Sequence, residues 1–467
     1  MVLTITDLAK RAIMRHSARQ LATAAVLILP FSAAFSANQI LYGVDAGVGE
    51  TDNVTLAPNN KVSQTLAVAD FDFNVKEQTR LLDVAATGNL SYIDYLQNAF
   101  HNQLLGRVDG TAQIAIVPDR VTWTVQDDFG QSTIDPFSPT TPNNVEEVNY
   151  FSTGPNLFLK VGATGFLDLN ARYARVQYET SPFDSNRLMG DISFGRRLSA
   201  SSSVSLNVDT ERVLFSDTTL NTDFDRTNVF AGYQIQGART ELNVDLGGSR
   251  VQQAGNSTNG TLATLSLSRK VSAASKITLS AGRQLTDAGS SFSSLQGGAT
   301  GIVGSAPAAQ TANSFNDTFV SAGWQYDRAR TSIGVSGRWN QDSYPGQSTL
   351  NNQRGGAEFR VLRRLTRSFS AQLLGSVYRT DFPHAFISNV GTATASEQSS
   401  SYTDSTVAAI LTWRHGRALE VNLRGEHSMR DASGSGTGYR ENRVLLTVGY
   451  RPRAADPIGL PTDEPAT

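Results

Sequence analysis

Along most of this chain, apolar side chains alternate with polar or small ones at every second position. The last such stretch has two faces that differ in chemistry throughout. One face carries Val444, Leu446, Val448 and Tyr450, and the other carries Arg443, Leu445, Thr447 and Gly449. A period of two belongs to the β-strand, and after the first 36 residues no clear stretch shows the period of 3.6 that marks an amphipathic helix. The sequence therefore predicts an all-β chain from Ile40 to Arg451.

The links between these stretches alternate strictly between short and long. Nine short links lie at 77–78, 118–119, 162–165, 199–202, 236–238, 272–275, 327–329, 365–367 and 415–416. Ten long, polar links lie at 51–60, 94–98, 131–146, 180–186, 217–225, 254–257, 288–314, 343–352, 383–400 and 431–437. This arrangement is typical of a transmembrane, antiparallel, up-and-down β-barrel with short periplasmic turns and long extracellular loops. Nine plus ten links join 20 strands with both termini on the periplasmic side, and one hidden or false hairpin would make the number 22 or 18.

Composition excludes several other classes of protein. Hydrophobic residues make up 39% of the chain and the mean hydropathy is −0.25, which is too polar for a bundle of membrane helices. The chain has no cysteine, so it has neither a disulfide framework nor a thiolate metal site. A net charge of −2 argues against a nucleic-acid binder. A secreted soluble β protein would share this composition, but the alternation of turns and loops ranks that alternative last.

The chain divides into three parts. Residues 1–36 contain basic residues, then an apolar run from Leu21 to Phe31, then small residues, which is the order of a secretory signal peptide cleaved before Ala37. The alternative is a transmembrane anchor, but the run is interrupted by Pro30 and is shorter than the roughly 20 residues that a spanning helix needs. Residues 37–451 form the predicted barrel, and the Pro-rich, acidic residues 452–467 form a predicted disordered tail.

Aromatic residues cluster near the ends of the predicted strands, where their rings would meet lipid headgroups. The predicted periplasmic girdle comprises Tyr233, Trp324, Tyr326, Trp413 and Tyr450. The predicted extracellular girdle comprises Trp339 with Tyr178, Phe215, Tyr344, Tyr402 and Tyr439. The alternative is the general enrichment of aromatic residues in strands. The strand that ends at Tyr450 also resembles the C-terminal signal that barrel assembly machinery recognises, so outer-membrane lipid and that machinery are the expected partners.

The polar face of the strands predicts the lining of the lumen. By strand parity it includes Asp70, Asp72, Gln126, Asp128, Asp168, Asn170, Arg172, Asp191, Asp209, Glu211, Glu241, Asp245, Arg338, Arg360, Glu420, Arg424, Glu426 and Arg443. A wall of mixed sign suits hydrated, neutral or weakly acidic solutes such as glycans. The alternative is that these charges only pair with one another across the lumen.

No motif in the sequence supports catalysis, a cofactor or a metal site. The closest approach to a nucleophile elbow, Gly434-Ser435-Gly436, has the wrong spacing, and the five histidines have no metal-binding spacing. The pairs Asp70/Asp72 and Glu420/Glu426 fit a solvated lumen better than an acid and base pair. We therefore expect that the protein is not an enzyme.

One region resembles a known family. The segments Asp127-Asp128-Phe129-Gly130-Gln131, Asp135-Pro136-Phe137 and Asn144 to Pro155, with the opening Gly47 to Val54, are similar to outer-membrane β-barrels associated with exopolysaccharide biosynthesis and PEP-CTERM protein sorting. The matches cover about the first third of the mature chain. The resemblance implies a barrel for polysaccharide secretion, with polysaccharide and periplasmic export components as further partners and no catalytic residues. Independently of the family, Pro136, Pro139 and Pro142 would stiffen a loop that either folds inward as a constriction or stays exposed.

The sequence leaves three functions open for a bacterial outer-membrane barrel. The first is a passive channel that assists exopolysaccharide export. The second is a general or substrate-specific uptake porin. The third is a non-conducting structural or adhesive barrel whose loops face outward.

Overall fold

The computed structural model describes residues 38–296, 312–345, 347–388, 395–416, 418–433 and 437–452. The predicted signal peptide lies outside the described residues, as does all of the predicted tail beyond Pro452.

The described residues form 20 strands, joined by links in which one short helix lies. The strands are β1 (Asn38–Thr51), β2 (Gln64–Gln78), β3 (Leu82–Tyr95), β4 (Gln103–Val117), β5 (Val121–Thr133), β6 (Val145–Val161), β7 (Gly165–Tyr178), β8 (Ser185–Ser199), β9 (Ser202–Phe215), β10 (Phe224–Gln236), β11 (Thr240–Gln253), β12 (Asn256–Ser272), β13 (Ser275–Thr286), β14 (Phe315–Arg328), β15 (Thr331–Ser343), β16 (Asn352–Arg364), β17 (Phe369–Ser388), β18 (Ala395–His415), β19 (Leu419–Ser433) and β20 (Tyr439–Tyr450). The helix is α1 (Ala288–Gln296), and 3₁₀ turns occupy Pro142–Asn144 and Ser348–Leu350.

The strands close into a barrel. Each strand pairs with its neighbours in the chain, adjacent strands run antiparallel, and β1 pairs with β20 so that Val44 lies opposite Tyr450. Closure satisfies the backbone hydrogen-bonding groups that an open sheet would leave at its edges, which is the condition for crossing a bilayer with strands. The predicted antiparallel barrel of about 20 strands is confirmed.

The alternation of short and long links is also present, with two differences in detail. The link between β11 and β12, expected to be long, is the two-residue turn Ala254-Gly255, in which both residues have positive φ, 50° and 77°. This geometry matches the twist of a tight hairpin. Between β17 and β18 the strands extend into the expected loop 383–400, to Ser388 and from Ala395.

The two faces of the barrel differ sharply. On β20, Val444 and Val448 are 54% and 55% exposed, whereas Glu441 and Thr447, which point the other way, are 5% and 6% exposed. Large apolar side chains are likewise exposed on alternate positions around the barrel, for example Leu206 and Leu246. This outer surface is apolar because lipid covers it, and the opposite face encloses the polar residues.

The aromatic residues fall into two groups. Tyr233, Trp324, Trp339, Trp413 and Tyr450 are exposed on the outer face, and Tyr326 stacks on Trp324 with ring centroids 6.0 Å apart. The other five members of the predicted extracellular girdle are not on the outer face. Tyr178, Phe215 and Tyr344 are buried, and Tyr402 and Tyr439 pack on an inward-facing arginine. That part of the prediction is wrong because successive residues of a strand face opposite sides, so a shift of one position moves a side chain from the lipid face to the lumen.

Helix α1 lies in the link between β13 and β14, where the sequence predicts only a loop. Its sequence, AGSSFSSLQ, is rich in serine and poor in large apolar residues, so it carries little helical signal of its own. Within the part of the chain that the structure describes, no helix has the length and apolar character needed to cross a membrane.

Candidate functional site: the barrel interior

The residues predicted to line the lumen point inward. The strand registers place them on the face opposite the exposed apolar side chains of their strands: Asp70, Asp72, Gln126, Asp128, Asp168, Asn170, Arg172, Asp191, Asp209, Glu211, Glu241, Asp245, Arg338, Arg360, Glu420, Arg424, Glu426 and Arg443.

One side of the lumen carries four carboxylates without ion-pair partners among the described residues. On the consecutive strands β7, β8 and β9 the wall carries Asp168, Asp191 and Asp209, and Asp191 lies directly opposite Asp209 in the register. Asp245 on β11 continues this wall and accepts a hydrogen bond from Thr264. Among the described residues, none of these four carboxylates lies within 4.0 Å of a basic group. Like charges opposed in a sheet repel, so this wall is stable only where water reaches it.

The other side is rich in arginine. Arg354, Arg360 and Arg364 share the inner face of β16, and Arg338 lies beside them on β15. Two of these guanidinium groups lie over aromatic rings, Arg338 over Phe319 at 5.8 Å and Arg354 over Tyr378 at 4.8 Å. The lumen therefore has mixed sign, as the sequence predicts, and each side carries both signs: Arg172 shares the inner face of β7 with Asp168, and Glu358 shares the inner face of β16 with Arg360.

The loop between β5 and β6 folds into the barrel. Asn144 organises it: its side-chain oxygen accepts a hydrogen bond from the backbone N–H of Asp135, and its side-chain nitrogen donates to the carbonyl oxygens of Asp135, Ser138 and Pro139. One buried amide thus holds residues 135–139 in a compact turn, which we call the proline strap.

The proline strap contacts the far wall. The ring of Phe137 packs on Phe382 of β17, with centroids 4.6 Å apart, and Arg430 of β19 donates a 2.9 Å hydrogen bond to the carbonyl oxygen of Ser138. Around the closed ring, β19 lies six strands from β5, so the strap crosses the lumen. Of the two alternatives for this loop, the inward fold is the one present.

The orientation of the Arg430 side chain is fixed by contacts other than the one with the proline strap. It forms a two-pronged ion pair with Asp404 at 2.6 and 2.9 Å, and its guanidinium lies 4.0 Å from the ring of Tyr402. Both contacts orient the guanidinium plane and leave one amino group for the strap.

The loop after β13 also folds inward, and it is held by charge. Asp287 caps the start of α1, accepting hydrogen bonds from the backbone N–H groups of Gly289 and Ser290 at 3.1 and 3.4 Å. The same carboxylate pairs with Arg187 of β8 at 2.5 Å and with Arg226 of β10 at 3.4 Å. Glu211 of β9 pairs with both arginines and completes the network.

This network is almost fully shielded from water. The side chains of Arg187 and Asp287 are 2% and 3% exposed. Burial alone would raise the pKa of Asp287, but the charges of Arg187 and Arg226 and the hydroxyl of Ser290 outweigh it and hold the pKa well below the ordinary value. Asp287 is therefore ionised at neutral pH.

Beyond this ion-pair network, α1 packs on an apolar patch of the inner wall. Phe292 is 3% exposed and packs in a cluster with Val148 and Tyr150 of β6 and Val176 of β7. Because β7 lies six strands from β13, α1 also crosses the lumen. Together the proline strap and α1 narrow the barrel on the side of the long loops.

A third cluster lies at the opposite end, where the barrel closes. Arg451, the first residue after β20, pairs with Asp45 of β1 and Asp72 of β2 at 2.6 Å each and with Glu420 of β19 at 3.3 Å. Its backbone N–H also donates to the carbonyl oxygen of Ala418. The Arg451 side chain points inward and its backbone continues the hydrogen bonding beyond β20, so the residue after Tyr450 belongs to the barrel.

Sequence reasoning missed the residues that hold these contacts. Arg187 has inward parity on β8 and could have been included with its neighbour Asp191, but Asp287, Asn144 and Phe137 lie in loops, where parity gives no signal. The clustering of Pro136, Pro139 and Pro142 and the motif segments that contain Phe137 and Asn144 indicated that one of these loops was special, but not which residues it contacts.

A closed 20-stranded barrel with an apolar outside and a charged interior defines the class of this protein: it is a bacterial outer-membrane β-barrel.

No protein-family model and no curated protein matches the chain. Similar solved structures include the FrpB iron transporter of Neisseria meningitidis (F5-1 variant), with 9% identity, a TM-score of 0.43, and coverage of 88% of this chain and 82% of that chain. A mutant of the ferric enterobactin receptor PfeA of Pseudomonas aeruginosa has 9% identity, a TM-score of 0.44 and coverage of 90% and 81%. OccK2 of Pseudomonas aeruginosa, solved in complex with glucuronate, has 12% identity, a TM-score of 0.36 and coverage of 88% and 98%.

Proposed function

We propose that the protein is a passive uptake channel for small hydrophilic solutes, of the general or substrate-specific porin kind. The observation that carries this proposal is the pair of loops that cross the lumen, each anchored on a wall six strands away. A barrel of 20 strands is wide enough to be filled with water unless something occupies it. Inward loops reduce that width to a constriction, and polar walls beyond the constriction keep the path hydrated.

The same observation bears on export of exopolysaccharide, which the family resemblance implies. A polymer would have to pass both crossing loops, so export requires that at least one anchor be released. No contact in the described residues favours a released state, and uptake of small solutes is the simpler use of this geometry. In the proposed role the protein has no catalytic residue and needs no cofactor.

The test is conductance together with solute size. The purified barrel, reconstituted in planar bilayers, is expected to conduct ions, and in liposome-swelling assays monosaccharides are expected to pass while oligosaccharides of increasing length are progressively excluded. Absence of conductance would support the structural or adhesive alternative. Passage or binding of long glycans with both loops in place, or loss of surface polysaccharide on deletion of the gene, would support export.

A further inference from the structure

Outward-facing arginines lie at one level on neighbouring odd-numbered strands. Arg175 is on β7, Arg212 on β9 and Arg250 on β11, and all three are exposed on the outer face. Each stands ten residues beyond the start of its strand (175 − 165, 212 − 202 and 250 − 240). Across the strand that separates one arginine from the next, the two arginines are offset by two residues in the register. The starts of the three strands are offset by the same two residues, so the three arginines lie at the same height on the barrel.

That height coincides with the edge of the membrane. Ten residues of strand cover about 33 Å, and a tilt of about 40° reduces this to a vertical rise of about 25 Å, the thickness of the apolar band on such barrels. Below the arginines the outer face is apolar, with Tyr173, Val208 and Leu246 exposed by 41%, 38% and 60%. The guanidinium groups thus lie at the headgroup level of the outer leaflet, with acyl-chain surface beneath them.

The spacing and surroundings fit a ligand with more than one anionic group. Alternate strands lie about 10 Å apart. Arg212 and Arg250 line one cavity of about 420 Å³ on the outside of the barrel, which Asp223, Asp225, Gln252 and Asn256 also line.

Among the described residues, the protein neutralises these arginines only weakly. Asp225 approaches Nε of Arg212 only to 3.8 Å, and the two side chains are 53% and 64% exposed, so their attraction is weak. Nε of Arg250 donates to the Ser257 hydroxyl at 2.8 Å, which carries no charge. Within the described ranges no carboxylate lies within 4.0 Å of Arg175 or Arg250.

We propose that Arg175, Arg212 and Arg250 bind the phosphate groups of a phosphorylated glycolipid in the outer leaflet, whose acyl chains lie on the apolar surface below. A guanidinium group presents two parallel N–H donors that match two phosphate oxygens, which makes arginine well suited to this contact. The site is independent of the lumen and of what the channel carries.

The test compares one glycolipid with and without its phosphates. The folded barrel in neutral detergent is titrated with a diphosphorylated glycolipid and with the same glycolipid after phosphatase treatment, and bound lipid is counted by native mass spectrometry. The triple variant R175Q/R212Q/R250Q is compared with R196Q/R269Q/R363Q, whose arginines are also outward-facing and exposed but lie near the short turns.

Wild type and the control triple are expected to prefer the phosphorylated glycolipid by about tenfold or more, and R175Q/R212Q/R250Q is expected to lose that preference. Equal binding of the two glycolipids by wild type, or equal loss in both triple variants, would overturn the proposal. Folding is checked by the heat-dependent mobility of the barrel on gels. Should the triple variant not fold, R212Q and R250Q are measured singly, and retention of the full preference by both would also overturn it.

Discussion

Asp287 is the residue on which the inward position of α1 depends. It caps the helix and pairs with two arginines at once, and these roles require different properties of the side chain. A short side-chain oxygen is enough for the cap, since asparagine serves as well as aspartate. The ion pairs require the charge. The substitution Asp287→Asn therefore separates the two roles.

We expect Asp287→Asn to open the constriction. The variant leaves Arg187 and Arg226 buried with one carboxylate instead of two, which costs the inward state about 3 kcal/mol. Single-channel conductance and the size limit for sugars should both rise. Asp217→Asn is the matched control because Asp217 lies in an exposed loop and bonds only within it. An unchanged conductance in Asp287→Asn would show that α1 does not restrict the path.

The low pKa of Asp287 predicts how the constriction responds to acid. Its folded pKa lies below the ordinary value of 3.8, so the stabilisation by its charge is fully present above that pH and is lost as the pH falls through the lower, folded value. The size limit for sugars in the wild type should therefore stay constant from pH 8 to about pH 4 and rise only in stronger acid. A rise near pH 6 would contradict this assignment, and Asp287→Asn should lack the acid response.

At the scale of elements, the short turns between strands differ in how well their residues suit the backbone conformation. Most short turns contain residues that suit them, but Ala254 at the β11–β12 turn has a φ of 50°, where alanine is strained and asparagine is tolerated. The following Gly255 has the positive φ that glycine supplies without cost.

Ala254→Asn should therefore stabilise the barrel. The expected gain is about 0.5–1 kcal/mol in the free energy of unfolding, because Asn-Gly is a favoured pair for a two-residue hairpin turn. Urea unfolding of the barrel in lipid or detergent would measure it. Gly255→Ala is the opposite control and should destabilise; a loss of stability in Ala254→Asn would indicate that the side chain, not the backbone, determines this turn.

The two crossing loops show why elements outside the strands were harder to anticipate. The proline strap is stiff by sequence, but its direction depends on Phe382 and Arg430, which lie more than 200 residues away. Helix α1 has a weak helical sequence and is held by Asp287 at one end and by Phe292 in the middle. Local propensity does not encode either contact.

At the scale of the whole molecule, closure joins the two ends of the chain. The registers of β1 and β20 provide the backbone contacts, and Arg451 adds side-chain contacts to β1, β2 and β19. Asp45 is 5% exposed in its pair, so losing Arg451 would leave this buried carboxylate without its cation, whereas Glu420 would keep its ion pair with Arg414.

Truncation tests this closure cluster. A chain ending at Tyr450 should be destabilised by about 3 kcal/mol relative to a chain ending at Pro452, which keeps Arg451. Urea unfolding of the two truncated barrels provides the comparison, with the full chain as reference. Equal stabilities would mean that the β1–β20 register alone closes the barrel.

The sequence by itself determined the strands, their number and most of their inward and outward faces, although it misplaced five aromatic residues near the long loops. It could do so because alternation and link length are local properties: each strand records which of its faces meets lipid. Only the tertiary structure decided that two loops enter the lumen, which inward-facing charges pair with one another, and that Arg451 joins the closure cluster. These features depend on pairs far apart in the chain, such as Arg187 with Asp287 and Arg451 with Asp45, which are 100 and 406 positions apart. No local pattern specifies such partners, because they become neighbours only when the barrel closes.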